Sequence, residues 1–148
     1  MNKTHHNLLL ADDDMDDCLF FEDALKELPI ATTLATVNDG VQLMCYLSEQ
    51  LQQLPDVIFL DLNMPRKSGI ECLSEIKLIE ELNQLPIIIF STSLNLEIVD
   101  LLYQNGAHYY IRKPGDYNNL KKVILKAVIL ISENKRTQPA RDKFILQP

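Results

Sequence analysis

The chain has 148 residues, 47% of them hydrophobic and 24% charged, with a formal net charge of −7. That length suits one domain with a sizeable core, and the balance is that of an ordinary globular protein. The acidic charge argues against direct nucleic-acid binding, and no apolar run approaches the roughly 20 residues of a membrane span.

The first stretch, MNKTHHN, has no long apolar segment before an acidic cluster, so a secretory leader is not expected and the chain reads as cytoplasmic. Leu8-Leu9-Leu10-Ala11 is a short apolar run that ends in Asp12-Asp13-Asp14. Asp14 or Asp16 can cap the following helix, where Leu19, Phe20, Ala24, Leu25 and Leu28 form an apolar stripe and Pro29 ends it. Residues 32–37 are rich in β-branched side chains and read as an edge strand. Asn38-Asp39-Gly40 turns into a helix reaching about Gln53.

The next run, Val57-Ile58-Phe59-Leu60, leads without a break into Asp61. A short apolar run between Pro55 and Pro65 reads as a strand buried on both faces, as in a parallel sheet. Ser68-Gly69 opens a helix to about Leu82. Residues 86–90 form another apolar strand, ending at Ser91-Thr92-Ser93. Asn95 caps a helix to Gln104, closed by Asn105-Gly106. A strand over 108–112 ends at Lys113-Pro114, and a last helix spans about 116–132. Cys18, Cys45 and Cys72 form no CxxC and read as small buried hydrophobes.

Five strand-then-helix units imply an α/β fold, a doubly wound parallel sheet with helices on both faces. The division expected is a domain over 1–132 and a polar tail over 133–148, which ends in the apolar Phe144-Ile145-Leu146. In a parallel sheet all strands point one way, so Asp12, Asp13, Asp61, Ser91 and Lys113 share the carboxyl edge, where such sheets bind ligands. Two like charges about 4 Å apart cost on the order of 4 kcal/mol at an effective dielectric of 20, so three carboxylates there call for cations. Lys113 supplies one charge; a hard divalent ion such as Mg²⁺ supplies two and takes oxygen ligands. These are parts for phosphoryl chemistry, with an aspartate as nucleophile and Lys113 and Ser91 on the phosphoryl oxygens.

The segments LLLADDD, VIFLDLNMP, PIIIFSTS and YYIRKP, in this order, resemble the signature segments of the receiver domain of two-component response regulators. The likeness covers about residues 6–132 and is nearest to stand-alone bacterial receivers, those of the chemotaxis-regulator and phytochrome-associated kinds. It implies a flavodoxin-like receiver fold with a five-stranded sheet of order 2-1-3-4-5. It implies a phosphorelay role in which Asp61 takes a phosphoryl group from a sensor histidine kinase or phosphotransfer protein. Asp12, Asp13, Asp61 and the Asn63 backbone carbonyl would then hold Mg²⁺, with Ser91 and Tyr110 as switch residues and Lys113 as the site lysine. Such a protein is a phosphorylated acceptor, with autodephosphorylation, rather than a turnover enzyme. The resemblance also implies a cis Lys113-Pro114 bond. Ser91 stands where Thr is commoner, and no output domain is recognisable after the last helix.

Three other readings are weaker. A haloacid-dehalogenase-like phosphatase needs a second Asp where Asn63 stands, and its nucleophile belongs to the first strand. A flavodoxin-like cofactor binder needs a phosphate-cradling loop where this chain is acidic. A receiver-fold interaction module without phosphorylation would not need its acceptor set intact.

Helical geometry gives one more expectation. At about 100° per residue, Leu94, Ile98, Leu101 and Leu102 make a core stripe, and Leu96, Val99 and Tyr103 a second stripe. In the last helix Leu120, Val123, Ile124, Ala127 and Ile131 face the core, while Leu125 and Ile129 lie opposite among lysines. With Tyr110 the second stripes make a partner-binding face, homodimerisation through the fourth helix, fifth strand and fifth helix being its leading form. The alternative is that Phe144-Ile145-Leu146 folds back and covers it.

Overall fold

A computed structural model describes residues 5–134 and 137–148. Residues 1–4, part of the stretch read for a leader, and the basic pair at 135–136 lie outside the described residues. The elements in order are β1 (His5–Ala11), α1 (Met15–Lys26), β2 (Ala31–Val37), α2 (Gly40–Glu49), β3 (Val57–Leu60), α3 (Gly69–Leu78), β4 (Ile87–Ser91), α4 (Leu96–Gln104), β5 (Tyr109–Arg112), α5 (Tyr117–Asn134) and β6 (Ile145–Leu146). All strands pair parallel in the order β2-β1-β3-β4-β5-β6. This is the expected order with a sixth strand added at the far edge.

The unbroken apolar runs exist because the central strands are buried on both faces. Leu9, Ile58, Leu60, Ile87 and Ile89 face one way, toward Leu43 and Leu47 of α2, Leu73 and Ile76 of α3 and Val99 and Leu102 of α4. Leu8, Leu10, Val57, Phe59, Ile88 and Phe90 face the other way, toward Phe21 of α1 and Val123, Ile124 and Ala127 of α5. Phe21 meets Phe59 and Phe90 edge-on, at centroid separations of 4.9 and 5.5 Å. Caps fix the helix starts: Asp14 accepts from the amides of Asp16 and Asp17, Ser68 and Glu71 form a reciprocal capping box, and Asn95 accepts from those of Glu97 and Ile98. Gly106, at φ +94°, closes α4 in the left-handed region as expected.

Several expectations need correction. In α1 the buried stripe is Cys18, Phe21, Ala24 and Leu25, while Leu19 and Phe20 are exposed. Cys45 is exposed on α2, although Cys18 and Cys72 are buried. The Lys113-Pro114 bond is trans, there being no cis peptide among the described residues. The Lys113 amide donates to the Ser91 carbonyl at 2.8 Å, so β5 keeps its pairing with β4 one residue beyond the strand and aims the side chain without a cis bond.

The tail folds back. Beyond α5 a short 3₁₀ turn over Arg141–Lys143 leads into β6, which pairs along β5. Phe144 is fully buried, with its ring edge-on to Tyr103 at 5.2 Å and near Tyr110 at 6.5 Å. The Tyr103 hydroxyl donates to the Pro139 carbonyl at 2.7 Å, and the Gln138 amide donates to the carbonyls of Tyr103 and Ala107. Residues 137–148 thus pack against the domain and add Ile145–Leu146 to its sheet, and α5 runs to Asn134, past the expected boundary at 132.

Half of the expected α4 face is not a surface. Val99 is buried in the core, Leu94 and Leu101 are exposed, and Tyr103 is half-buried beneath the tail. Tyr110 is 1% exposed and is no surface residue. Leu96 and Ile129 are exposed, and Leu125 is half-buried. The α5 core stripe is as expected, joined by Val128.

Candidate functional site

The ladder continues one residue past three strands and carries the chemistry to one edge. The Asp12 amide donates to the Val37 carbonyl at 3.0 Å, the Asp61 amide to Ala11 at 2.9 Å and the Lys113 amide to Ser91 at 2.8 Å. These bonds fix the backbone from which the side chains converge. Asp12, Asp13 and Asp61 each offer a carboxylate oxygen, and these oxygens lie within 4.8 Å of one another. Asp12 is fully buried, Asp61 is 6% exposed and Asp13 is exposed.

The Lys113 ammonium enters this cluster at 2.7 Å from Asp12 Oδ2 and 3.7 Å from Asp61 Oδ2. It also reaches Asp17 Oδ2 on α1 at 2.8 Å, a partner the sequence reading had not assigned. Asp12 Oδ2 is buried and, though close to the ammonium, has no hydrogen bond among the described residues. A buried carboxylate oxygen left this way still has room for a further electropositive partner. The donor set fits a hard divalent cation: carboxylate oxygens open toward Asp13 on the solvent side, and no sulfur or imidazole among them.

Burial, reinforced by the Asp12 charge and opposed by Lys113, lifts the Asp61 carboxyl from its ordinary 3.8 to about 6. It is still mainly ionised at neutral pH, and so remains a nucleophile. Burial pulls Lys113 toward neutrality, but the Asp12 and Asp17 carboxylates outweigh it and hold the ammonium charged. Burial also pushes the Cys18 thiol up to about 11, which keeps this neighbour inert.

Around the acceptor, the chain is pinned closely. Gly69 donates to the Leu62 carbonyl at 2.9 Å, and a Cβ there would lie 2.2 Å from the Asp61 carbonyl oxygen. Only glycine permits that approach, so the start of α3 fixes the loop over 61–69. Asn63, whose carbonyl was expected to help hold the cation, is exposed on this loop. Ser91 is fully buried at the end of β4, its Oγ 3.4 Å from that of Ser93. The Tyr110 hydroxyl donates to the Ser93 carbonyl, so the two expected switch residues are linked through Ser93.

Comparison with known proteins places this edge among relatives. The sequence profile described as the response regulator receiver domain matches residues 8–125, most of the chain. The chain is 31% identical over 121 residues to response regulator Rcp1 of Synechocystis, covering 79% of this chain and 82% of that one. The crystal structure of the phosphorylated cyanobacterial phytochrome response regulator RcpA superposes with a TM-score of 0.76 at 31% identity, over 92% of this chain and 99% of that one. The Mn²⁺-bound form of Rcp1 gives 0.77 at 30% identity, over 91% and 99%.

Proposed function

Because the chain belongs to the response regulator receiver domain family, we propose that Asp61 is its phosphoacceptor, served by Asp12, Asp13, Lys113 and Ser91. Phosphorylation-based signalling is the family's role, and its donors are histidine kinases or phosphotransfer proteins. Receiver domains bind Mg²⁺ or Mn²⁺ at an acidic pocket. Here Asp12, Asp13 and Asp61 would hold the ion, joined by the Asn63 carbonyl, and its charge would offset that of the incoming phosphoryl group.

The chain's own residues do the rest. An Asp61 oxygen attacks the phosphorus of a phosphohistidine; the new O–P bond forms as the P–N bond breaks, and the imidazole leaves with its electron pair. Lys113 balances charge on the acyl phosphate, and the Ser91 hydroxyl donates to a phosphoryl oxygen. Hydrolysis returns the carboxylate, so the protein is consumed and regenerated as a signal carrier. It turns over no separate substrate.

The single observation supporting this reading is the convergence of a buried, ionisable Asp61 with two further carboxylates and one ammonium at the end of the central strand. The test is labelling from acetyl phosphate or a phosphohistidine donor in Mg²⁺. Wild type should label and Asp61→Asn should not, while keeping its fold; label appearing elsewhere in that variant refutes the assignment.

The output face follows from the same reading. Leu96 and Leu101 on α4 and Ile129 on α5 are exposed apolar groups on the helices that flank the docked tail. A partner or a second copy engaging α4, the outer edge of the sheet and α5 would meet them and the tail together. The chain would do this in the cytoplasm; among the described residues no helix is long and apolar enough to cross a membrane.

A further inference from the structure

Lys113 is held by three carboxylates, and one of them stands outside the group suited to a divalent cation. Asp12 and Asp61 belong to that group; Asp17 does not. Asp17 projects from the first turn of α1 and meets Lys113 at 2.8 Å across 96 residues of sequence. Beneath the ammonium lies the Phe90 ring, 5.5 Å away at its centroid. The Lys113 side chain is only 10% exposed, so its charge must be met by protein groups.

This arrangement contains a competition. The ammonium sits 2.7 Å from Asp12 Oδ2, the buried oxygen that also suits a divalent ion. If Asp12 and Asp61 were its sole partners, the lysine would either resist the ion or be expelled from the site by it. Expulsion would remove the cation needed beside the phosphoryl group. Asp17 offers a third seat, within hydrogen-bonding distance and outside the metal group. We infer that Asp17 is a positioning residue that retains Lys113 beside Asp61 while Asp12 is given over to the divalent cation.

The inference rests on the phosphoacceptor reading and adds a role for a residue outside the acceptor set. The bland alternative is that Asp17 is one more acid in an acidic stretch, acting only through charge. Asp16 is the control, since it is exposed and adjacent, and among the described residues the ion pairs of Lys113 go to Asp12, Asp17 and Asp61 instead.

The experiment is calorimetric titration of the full chain with MgCl₂, each variant first checked for folding by circular dichroism. Partners one shell out from a metal's ligands typically change affinity by about 10–100-fold, and the partly exposed Asp17 belongs at the low end. Asp17→Asn should therefore weaken Mg²⁺ binding about tenfold, Asp16→Asn less than about twofold, and Asp17→Glu should restore most of the loss. In a Lys113→Met background the penalty of Asp17→Asn should fall to that of Asp16→Asn. Nitrogen NMR of the Lys113 ammonium should show slow proton exchange in Mg²⁺-bound wild type and fast exchange in Asp17→Asn. Equal effects of the two Asn variants, or an undiminished Asp17→Asn penalty without Lys113, would overturn the inference. Wild type that binds no Mg²⁺, or an Asp13→Asn variant that binds it equally well, would instead refute the phosphoacceptor reading itself.

Discussion

Replacing Phe144 by alanine should detach the tail and leave the rest of the domain standing. Phe144 is fully buried between Tyr103 and Tyr110 and is the largest apolar anchor of residues 137–148. Truncating a buried Phe costs about 3–5 kcal/mol, some of it from lost edge-on ring contacts. The other ties are the burial of Leu146, an ion pair of Arg141 with Asp100 at 2.7 Å, and a few hydrogen bonds: Tyr103 to Pro139, Gln138 to two carbonyls, Tyr110 to the Phe144 carbonyl and Lys126 to Gln147. Each contributes about 1 kcal/mol net, against about 1–2 kcal/mol of backbone entropy for every residue ordered. A segment balanced this closely cannot lose about 3 kcal/mol and stay docked. The readout is hydrogen exchange at the Tyr110 amide, which donates to the Phe144 carbonyl at 3.0 Å. A loss of about 3 kcal/mol should speed that exchange by roughly two decades. Amides of β1 and β3 should keep their protection. Unchanged protection at Tyr110 would refute the reasoning, as would a uniform loss across every strand, which would make the tail part of one cooperative unit.

Three further outcomes follow from the site. Asp61 has its folded pKa raised, from 3.8 to about 6, so its contribution to stability is fully present below about pH 4 and is lost as pH rises through about 6. Metal-free Asp61→Asn should therefore be the more stable protein at pH 7, by on the order of 1–3 kcal/mol, with the gap closing toward pH 4 in urea melts; a gap independent of pH contradicts the burial account. Ser91→Ala should still label at Asp61 but lose any phosphorylation-dependent change in sedimentation or partner capture; wild-type coupling in that variant would remove Ser91 from the switch. Gly69→Ala forces a Cβ against the Asp61 carbonyl and Leu62 Cα, both backbone, and should cost about 1–3 kcal/mol while slowing labelling; denaturant melts that match wild type would show that the loop has room.

The sheet and the acceptor edge were legible because their signals are local. A run such as Val57-Ile58-Phe59-Leu60 must be buried on both faces, and parallel strands put every following residue at one end. The α4 face was not legible in the same way. Its apolar residues cover more than one side, and how far Tyr103 is buried depends on a tail more than thirty residues away. Phe144-Ile145-Leu146 stood out as an apolar triplet in polar surroundings, yet nothing local gave its register on β5. Asp17 sits in the first turn of α1, where acids are favoured whatever they contact, so its residue type alone carries no signal. Its contact with Lys113 depends on how α1 sits against the end of β5, which spacing along the chain does not reveal. The trans bond at Pro114 departs from what the resemblance implied, because the pairing of Lys113 with Ser91 aims the side chain without a cis bond.

The docked tail has a consequence for any attempt to bare the α4–α5 face by shortening the chain. β6 covers the main-chain edge of Tyr109–Arg112, whose first three residues are buried aromatic or aliphatic groups. Without residues 137–148 that edge would present unpaired N–H and C=O groups flanked by apolar side chains, a template for adding strands from other molecules. The opposite edge, β2, is different: it carries Thr32, Thr33 and Thr36 and is only partly buried. β6 itself, Ile145–Leu146, is two residues long, too short an edge to recruit a neighbour. A shortened chain would therefore self-associate through its sheet edge, and its oligomers would say little about signalling. Point substitutions that loosen the tail while leaving it tethered are the safer route to the face beneath it.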